Sequence, residues 1–362
     1  MDTQSLEIST PSTNTANNMK CSIVILNWNG AQMLQDYLPS VIRHSQSNDC
    51  EVVVVDNGST DATLDTLSKI NKTAQDNHLQ EARVVLLDNN YGYAEGYNKA
   101  LEQIDSEYTI LLNSDVEVTA GWLEPMLSYM DAHPDVVACQ PKILSWKNKQ
   151  YFEYAGAAGG FIDRLCYPYC RGRILGTVEE DKGQYDQIID IFWASGACLC
   201  VRTRAYVEIG GLDAAFFAHM EEIDLCWRLL SRGHRIVCIP QSSVYHLGGG
   251  SLNYENPKKT FLNFRNSLLM IYKNMPADRL TSTLWARFFL DIAASLHYLV
   301  TGKVKNAWAV LQAWCAYLRM RSQFTAKRNH NLGKTTCAYP NTMSKRIILF
   351  DYYFRSLRTW SK

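Results

Sequence analysis

Two acidic clusters in this chain of 362 residues have the residue types of reactive sites. The first, Asn113-Ser114-Asp115-Val116-Glu117, directly follows the apolar run Tyr108-Thr109-Ile110-Leu111-Leu112. A carboxylate beside amide and hydroxyl oxygens at the tip of a buried strand is a donor set for a hard divalent cation such as Mg2+ or Mn2+. Read alone, the cluster is also consistent with a solvated acidic turn. The second cluster, Glu221-Glu222-Ile223-Asp224, sets three carboxylates ahead of the apolar Leu225 and Trp227. A carboxylate in a partly dry cleft suits a general base that takes a proton from a hydroxyl. On a helix Asp224 and Arg228 share a face, so an intrahelical ion pair is the alternative for Asp224.

The elements that must carry these groups are legible as runs. Cys21 to Leu26, Glu51 to Val55 and Ala82 to Leu87 are apolar and rich in β-branched residues. Each closes on a polar tip, respectively Asn27-Trp28-Asn29-Gly30, Asp56-Asn57-Gly58-Ser59-Thr60-Asp61 and Asp88-Asn89-Asn90. Such runs read as strands buried on both faces. Helical patterns at Ala31 to His44 and Asp61 to Ile70 alternate with them, predicting an α/β protein whose mostly parallel sheet is flanked by helices. Asp56 can accept hydrogen bonds from a base edge or from ribose hydroxyls. Ser59, Thr60 and Asp61 are equally placed to cap the next helix. Asn90, Gly92, Gly96 and Asn98 are expected in a loop that enters a helix from Tyr97 to Ile104, where glycines either let backbone approach an anion or shape a tight turn.

Six segments occur in one order over residues 20 to 275: Ser22 to Asn29, Val54 to Asp61, Asn90 to Asn98, Leu111 to Asp115, Phe216 to Arg228 and His246 to Ser251. Together they resemble an inverting family 2 glycosyltransferase of the GT-A fold, in the branch that includes rhamnosyltransferase-like enzymes. The resemblance implies a nucleotide-diphosphate sugar as donor, dTDP-rhamnose or a UDP-sugar being the first to try. Asn27, Asn29 and Asp56 would bind it, with the Asn90, Gly92, Gly96 and Asn98 loop, Asn113 and Ser114. It implies a divalent cation held by Asp115, with His246 as a further ligand, and a flexible loop at Gly248-Gly249-Gly250-Ser251 closing over phosphate. Glu222 takes the place of the base, Asp224 stands in reserve, and Glu221 holds the helix start or the acceptor. Ile191 to Arg202 would be a strand whose Gly196-Ala197 bend lies under donor sugar and acceptor, with Trp193 either stacked on a sugar or packed in the core. The implied acceptor is a glycan or a lipid-linked glycan in cell-surface polysaccharide synthesis. The family's first metal carboxylate is Asn113 here, which weakens the expected metal affinity. That substitution opens a second reading, a catalytically silent sugar-nucleotide or partner-binding protein.

Composition narrows the remaining classes. No Gly-rich phosphate loop follows the first strand, which argues against a nucleotidyltransferase or a dinucleotide oxidoreductase. The opening residues 1–19 are rich in Ser, Thr and Asn without an apolar core, predicting a disordered tail and no secretory signal. Eleven cysteines with no CxxC framework read as reduced thiols of a cytoplasmic protein. Charge is balanced overall, 36 basic against 36 acidic residues, but unevenly placed. From Gly302 onward twelve Lys and Arg face the single acid Asp351, a net of +11. Residues 276–362 are therefore expected as a helical basic extension. Its Trp and Tyr residues suit an anionic membrane surface, which would make the protein peripheral on the inner face of the cytoplasmic membrane. The alternative is an amphipathic subdomain packed on residues 20–275. Leu284 to Val300 carries Arg287, Asp291 and His297 and so falls short of a membrane span. No nucleic-acid motif accompanies the charge.

Overall fold

A computed structural model describes residues 19–248 and 256–360. Residues 1–18 of the expected N-terminal tail and Gly249, Gly250 and Ser251 lie outside the described residues, while Met19 opens the first strand. Alternating burial builds the sheet. In β1 (Met19–Asn27), Ile23 and Ile25 enter one core while Val24 between them enters the other. Val52 and Val54 of β2 (Cys50–Asn57) likewise oppose Val53 and Val55. A strand points successive side chains to opposite faces, so an uninterrupted apolar run is stable only when helices cover both. One covering helix is α1 (Ala31–His44), whose buried Leu34, Leu38, Val41 and Ile42 follow the helical repeat. Then come α2 (Thr63–Asp76), β3 (Arg83–Leu87), α3 (Gly92–Leu101), β4 (Ser106–Asn113), β5 (Val116–Val118), α4 (Glu124–Ala132) and β6 (Val136–Ser145).

Four short strands, β7 (Gly160–Ile162), β8 (Pro168–Cys170), β9 (Arg173–Ile174) and β10 (Thr177–Val178), form a separate antiparallel sheet. The main sheet resumes with β11 (Ile189–Asp190), β12 (Cys198–Arg202) and, after α5 (Thr203–Glu208) and α6 (Glu221–Ser231), β13 (Arg235–His246). Its order is β11-β13-β6-β12-β4-β1-β2-β3, with β5 paired to β13. β12 runs antiparallel to both β4 and β6, so the sheet is mixed. The tips of β1, β2, β4 and β13 and the start of β12 all reach one edge.

The extension is helical: α7 (Pro257–Asn274) leads into α8 (Ala277–Val300), α9 (Val304–Met320), α10 (Thr325–Gly333) and α11 (Ile348–Phe354). Tyr317, Phe324 and Ile348 join the same core as β1 and β2. Trp360 stacks on Tyr169 with centroids 5.6 Å apart, and Lys327 pairs with Asp213 at 2.6 Å. These contacts pack parts of the segment against residues 20–275. No described helix is long and apolar enough to cross a membrane. Nine of the eleven cysteines are buried, and all eleven are free thiols.

Candidate active site

Strand register assembles the edge. Asn27 lies beside Asp56, Leu26 beside Asn113 and His246 beside Val116. The Asn113 amide donates to the Ala197 carbonyl at 3.0 Å, which brings Gly196-Ala197 under the tip of β4. The acidic turn is thereby fixed against His246. Asp115 Oδ1 lies 3.2 Å from His246 Nε2, Glu153 Oε1 lies 3.6 Å from its Nδ1, and Asn113 Nδ2 is 3.5 Å away. Burial disfavours the imidazolium, but the two carboxylates override it and raise its pKa to about 10. Asp115 is pulled the other way: against burial, the His246 contact holds it below its ordinary value. The carboxylate pair calls for a cation, either a proton on His246 or a divalent ion shared by Asp115 and a neutral His246. Among the described residues no group of three His, Cys, Asp or Glu side chains is spaced as a closed metal cage. Asp115 and His246 fit an open site with two protein ligands, its other positions left to water and phosphate.

The second cluster opens α6. Glu221 is 4% exposed, whereas Glu222 is partly exposed. Each has a buried Oε2 without a hydrogen-bond partner in the described structure. Burial raises Glu222 to about 7, against the backbone N–H groups of Glu222 and Ile223. Glu221 is raised well above its ordinary value, by burial and then by the Glu222 charge. A carboxylate ionising near neutrality, accessible from the cleft, has the properties of a general base. Both charges are felt by Tyr93, whose hydroxyl donates to the Gly196 carbonyl at 2.8 Å. Tyr93 thus links the Glu pair to the Gly196-Ala197 bend that meets the tip of β4.

The loop before α6 is strained. Phe217, His219 and Met220 adopt positive φ of 65°, 72° and 73°, a region costly for side chains with Cβ. Buried Asn266 on α7 over-determines the loop: its Nδ2 donates to the carbonyls of Phe216, Ala218 and His219 at 3.0, 2.9 and 2.8 Å. Asn266→Ala should leave the Ala218 and His219 carbonyls without this donor, costing about 1–3 kcal/mol each if they remain dry, while the Phe216 carbonyl keeps Arg265 and the Ala218 amide. We expect a lower Tm and a turnover that falls more than donor affinity, measured by calorimetry and steady-state kinetics.

Several expectations are corrected. Asp224 is fully buried and committed to Arg228 at 2.9 Å, Lys273 at 2.8 Å and Asn274 at 2.7 Å. It clamps α6 to α7, has no access to a substrate and is set aside as a base. Asp224→Ala should cost about 3–5 kcal/mol because it removes the carboxylate partner of buried Arg228, to be read from denaturant unfolding; Lys273 keeps Asp213 at 2.7 Å. Trp193 is a core residue, 3% exposed, with its Nε1 donating to the Phe161 carbonyl at 2.9 Å; no sugar can stack on it. Only Cys198 to Arg202 of the expected 191–202 strand pairs in the sheet as a strand. Gly92, Gly96 and Asn98 belong to α3, not to a loop. The helix starts early because Asn90 Oδ1 accepts from the Gly92 amide at 2.9 Å, capping the first turn. Gly96 is a packing glycine: a Cβ there would sit 2.8 Å from the Leu26 side chain. The Asn98 side chain ties down Leu212 and Tyr206.

Asn29 and Asp56 shape the loops at the cleft. Asn29 Oδ1 accepts from the Thr60 amide at 2.7 Å, and both Asp56 oxygens accept from Ser59 N at 3.3 Å. Asn27 is buried and donates to Thr63 Oγ1 at 3.1 Å, so it braces the edge from below. Ser114 follows β4 at the acidic turn. Glu153, Tyr93 and Asn266 escaped the sequence reading. Tyr93 lay inside a quoted segment, whereas Glu153 and Asn266 stand in no recognisable motif.

A mixed α/β sheet with strand order 3-2-1-4, an antiparallel strand after β4 and an acidic turn at the tip of β4 defines the GT-A class. Residues 22–181 match the family model described as glycosyl transferase family 2. An N-acetylglucosaminyl-diphospho-decaprenol L-rhamnosyltransferase of Mycobacterium tuberculosis is 25% identical over 209 residues, 54% of this chain and 66% of that protein. The O-antigen biosynthesis protein RfbC of Myxococcus xanthus is 25% identical over 230 residues, 63% of this chain and 17% of its own length. The chain thus spans just under two thirds of the first relative and a small part of the second. The solved structure of GalNAc-T7 with UDP, GalNAc and Mn2+ has a TM-score of 0.56 at 14% identity, over 92% of this chain and 60% of that one. That likeness establishes the shared fold.

Proposed function

We propose that the chain is an inverting glycosyltransferase that moves a sugar from a nucleotide-diphosphate donor to a hydroxyl of a glycan or lipid-linked acceptor. The carrying observation is the pair of complementary clusters on one edge, a carboxyl titrating near 7 at Glu222 and the Asp115–His246 pair. Glu222 takes the acceptor's proton as its oxygen attacks the anomeric carbon from the face opposite the nucleotide. The bond from that carbon to the diphosphate oxygen breaks, and the nucleoside diphosphate leaves with the bonding pair. Asp115 and His246 are the residues to hold a divalent ion, Mg2+ or Mn2+, which when bound neutralises the departing diphosphate. Asp56 and the Asn29 loop border the nucleotide, and Asn113, Ser114 and Gly196-Ala197 line the floor between the two clusters.

The rhamnosyl transfer named for the M. tuberculosis relative supports a dTDP-linked deoxysugar as first donor, and its diphospho-decaprenol acceptor supports a lipid-linked glycan here. A thermal-shift series of UDP-, dTDP- and GDP-sugars with Mn2+ tests the reading, because a ligand that binds the folded state raises Tm by mass action. The donor that stabilises should then be hydrolysed or transferred with inversion at the anomeric carbon. Stabilisation without turnover on any acceptor would favour the silent sugar-nucleotide binder, and no stabilisation by any donor would overturn both.

A further inference from the structure

Helix α8 is built inside out. Its buried positions are the polar Thr283, Arg287, Asp291 and Ser295, which fall on one helix face. Its exposed positions include Trp285, Phe289, Leu296, Leu299 and Val300, the first 60% and the last 88% exposed. The inward charges are consumed within the fold. Arg287 pairs with Asp291 at 3.5 Å, donates to Ser267 Oγ at 2.9 Å and lies 4.1 Å from the Tyr167 ring centroid. Asp291 accepts from Trp314 Nε1 at 3.0 Å and from Tyr167 Oη at 3.1 Å. Next to it, α9 exposes Trp308, Leu311 and Leu318. A surface helix in water ordinarily turns its apolar stripe inward, so a contiguous outward apolar face marks a binding surface.

Charge identifies the occupant. From Arg279 to Phe350 the single acid is Asp291, and it is buried. Lys303 and Lys305 at the hairpin tip and Arg319 and Arg321 at the far end of α9 are exposed. An apolar face with Trp residues, rimmed by cations and with one exposed carboxylate, Asp278 in the first turn of α8, complements an anionic lipid surface. We propose that the α8–α9 hairpin is a membrane-docking surface that lies in the plane of an anionic bilayer and sinks its apolar face among the acyl chains. The hairpin is also tied to the framework of the active site. Asn306 at its tip donates to Thr260 Oγ1 on the first turn of α7 at 2.8 Å, and the same α7 holds the loop that carries Glu222 through Asn266.

The test is co-sedimentation of the full chain with phosphatidylcholine vesicles with and without phosphatidylglycerol. Binding is read without any sugar donor, so its failure leaves the transferase reading standing. The wild type should bind the anionic vesicles, more weakly as salt rises. W285S/F289S/W308S removes only exposed side chains, so it should keep its Tm and lose vesicle partitioning about tenfold or more. K303S/K305S should weaken binding at low salt and match the wild type at high salt. Equal binding by the triple variant, or no binding by the wild type, overturns the proposal. A wild-type dimer in sedimentation velocity that the triple variant lacks, with no vesicle binding, would assign the face to a second copy of the chain.

Discussion

Glu222→Gln is expected to reduce turnover by a factor of about 10² to 10⁴ while donor affinity stays nearly unchanged, because the amide keeps the shape of the side chain and cannot accept the acceptor's proton. The check is steady-state transfer alongside calorimetric titration of the donor nucleotide. In the wild type, kcat should rise with pH through about 7, where burial sets the Glu222 ionisation, and that limb should vanish in the variant. The same pKa predicts a stability difference of definite sign. The folded value lies above the ordinary 4.5, so the folded chain keeps a proton that the unfolded chain releases. The stabilising contribution is complete below about 4.5 and is lost as pH rises to about 7. Above that pH the wild type bears a buried charge and Glu222→Gln does not. The variant should therefore melt higher at pH 8 by an amount on the order of a few kcal/mol. Full activity in the Gln variant would move the base to Glu221, the remaining carboxylate of the pair without an ionic partner in the described structure.

Asp115→Ala should abolish the part of donor affinity that depends on Mn2+, by about 10²-fold or more, given that even partners outside the ligand shell change metal affinity by about 10–100-fold. The loss follows from the donor set. Asn113 supplies only an amide at the position where the family has a carboxylate, and Glu153 reaches the far nitrogen of His246 at 3.6 Å. Removing Asp115 thus leaves His246 as the sole side chain of the pair. Titration of UDP or dTDP with and without Mn2+ measures the effect, and a thermal melt without ligand shows whether the fold is intact. Unchanged Mn2+-dependent affinity would sink the assignment and return the cluster to a solvated acidic turn.

Much of the molecule was present in local pattern. Largely apolar runs at residues 21–26, 51–55 and 108–112 call for strands covered on both faces, and the parallel connections then force their polar tips to a common edge. The placement of Asp56, Asn113 and Asp115 at that edge follows from these runs alone. The rule that residues four apart share a helix face foresaw the Asp224–Arg228 pair. Local pattern failed at Asn90, where one side-chain cap moved the start of α3 upstream and drew Gly92, Gly96 and Asn98 into a helix.

Tertiary structure decided which partners distant residues meet, since periodicity distinguishes the two faces of an element without saying what covers either. Glu153 lies far from His246 in the chain and reaches it only because β6 and β13 pair in parallel. Asn266 has the composition of any helical asparagine until α7 crosses the strained loop before α6. Trp193 is denied to a sugar by its neighbours Gly160 and Phe161, not by its own type. The apolar stretch from Leu284 to Val300 carried Arg287 and Asp291, which in sequence argued against contact with lipid. In the fold both turn inward, where the ion pair, Tyr167 and Trp314 satisfy them, and the apolar side is left facing out. The sequence determined that this helix has two unlike faces, and packing, which rewards paired buried charges as well as buried hydrocarbon, determined which face met solvent.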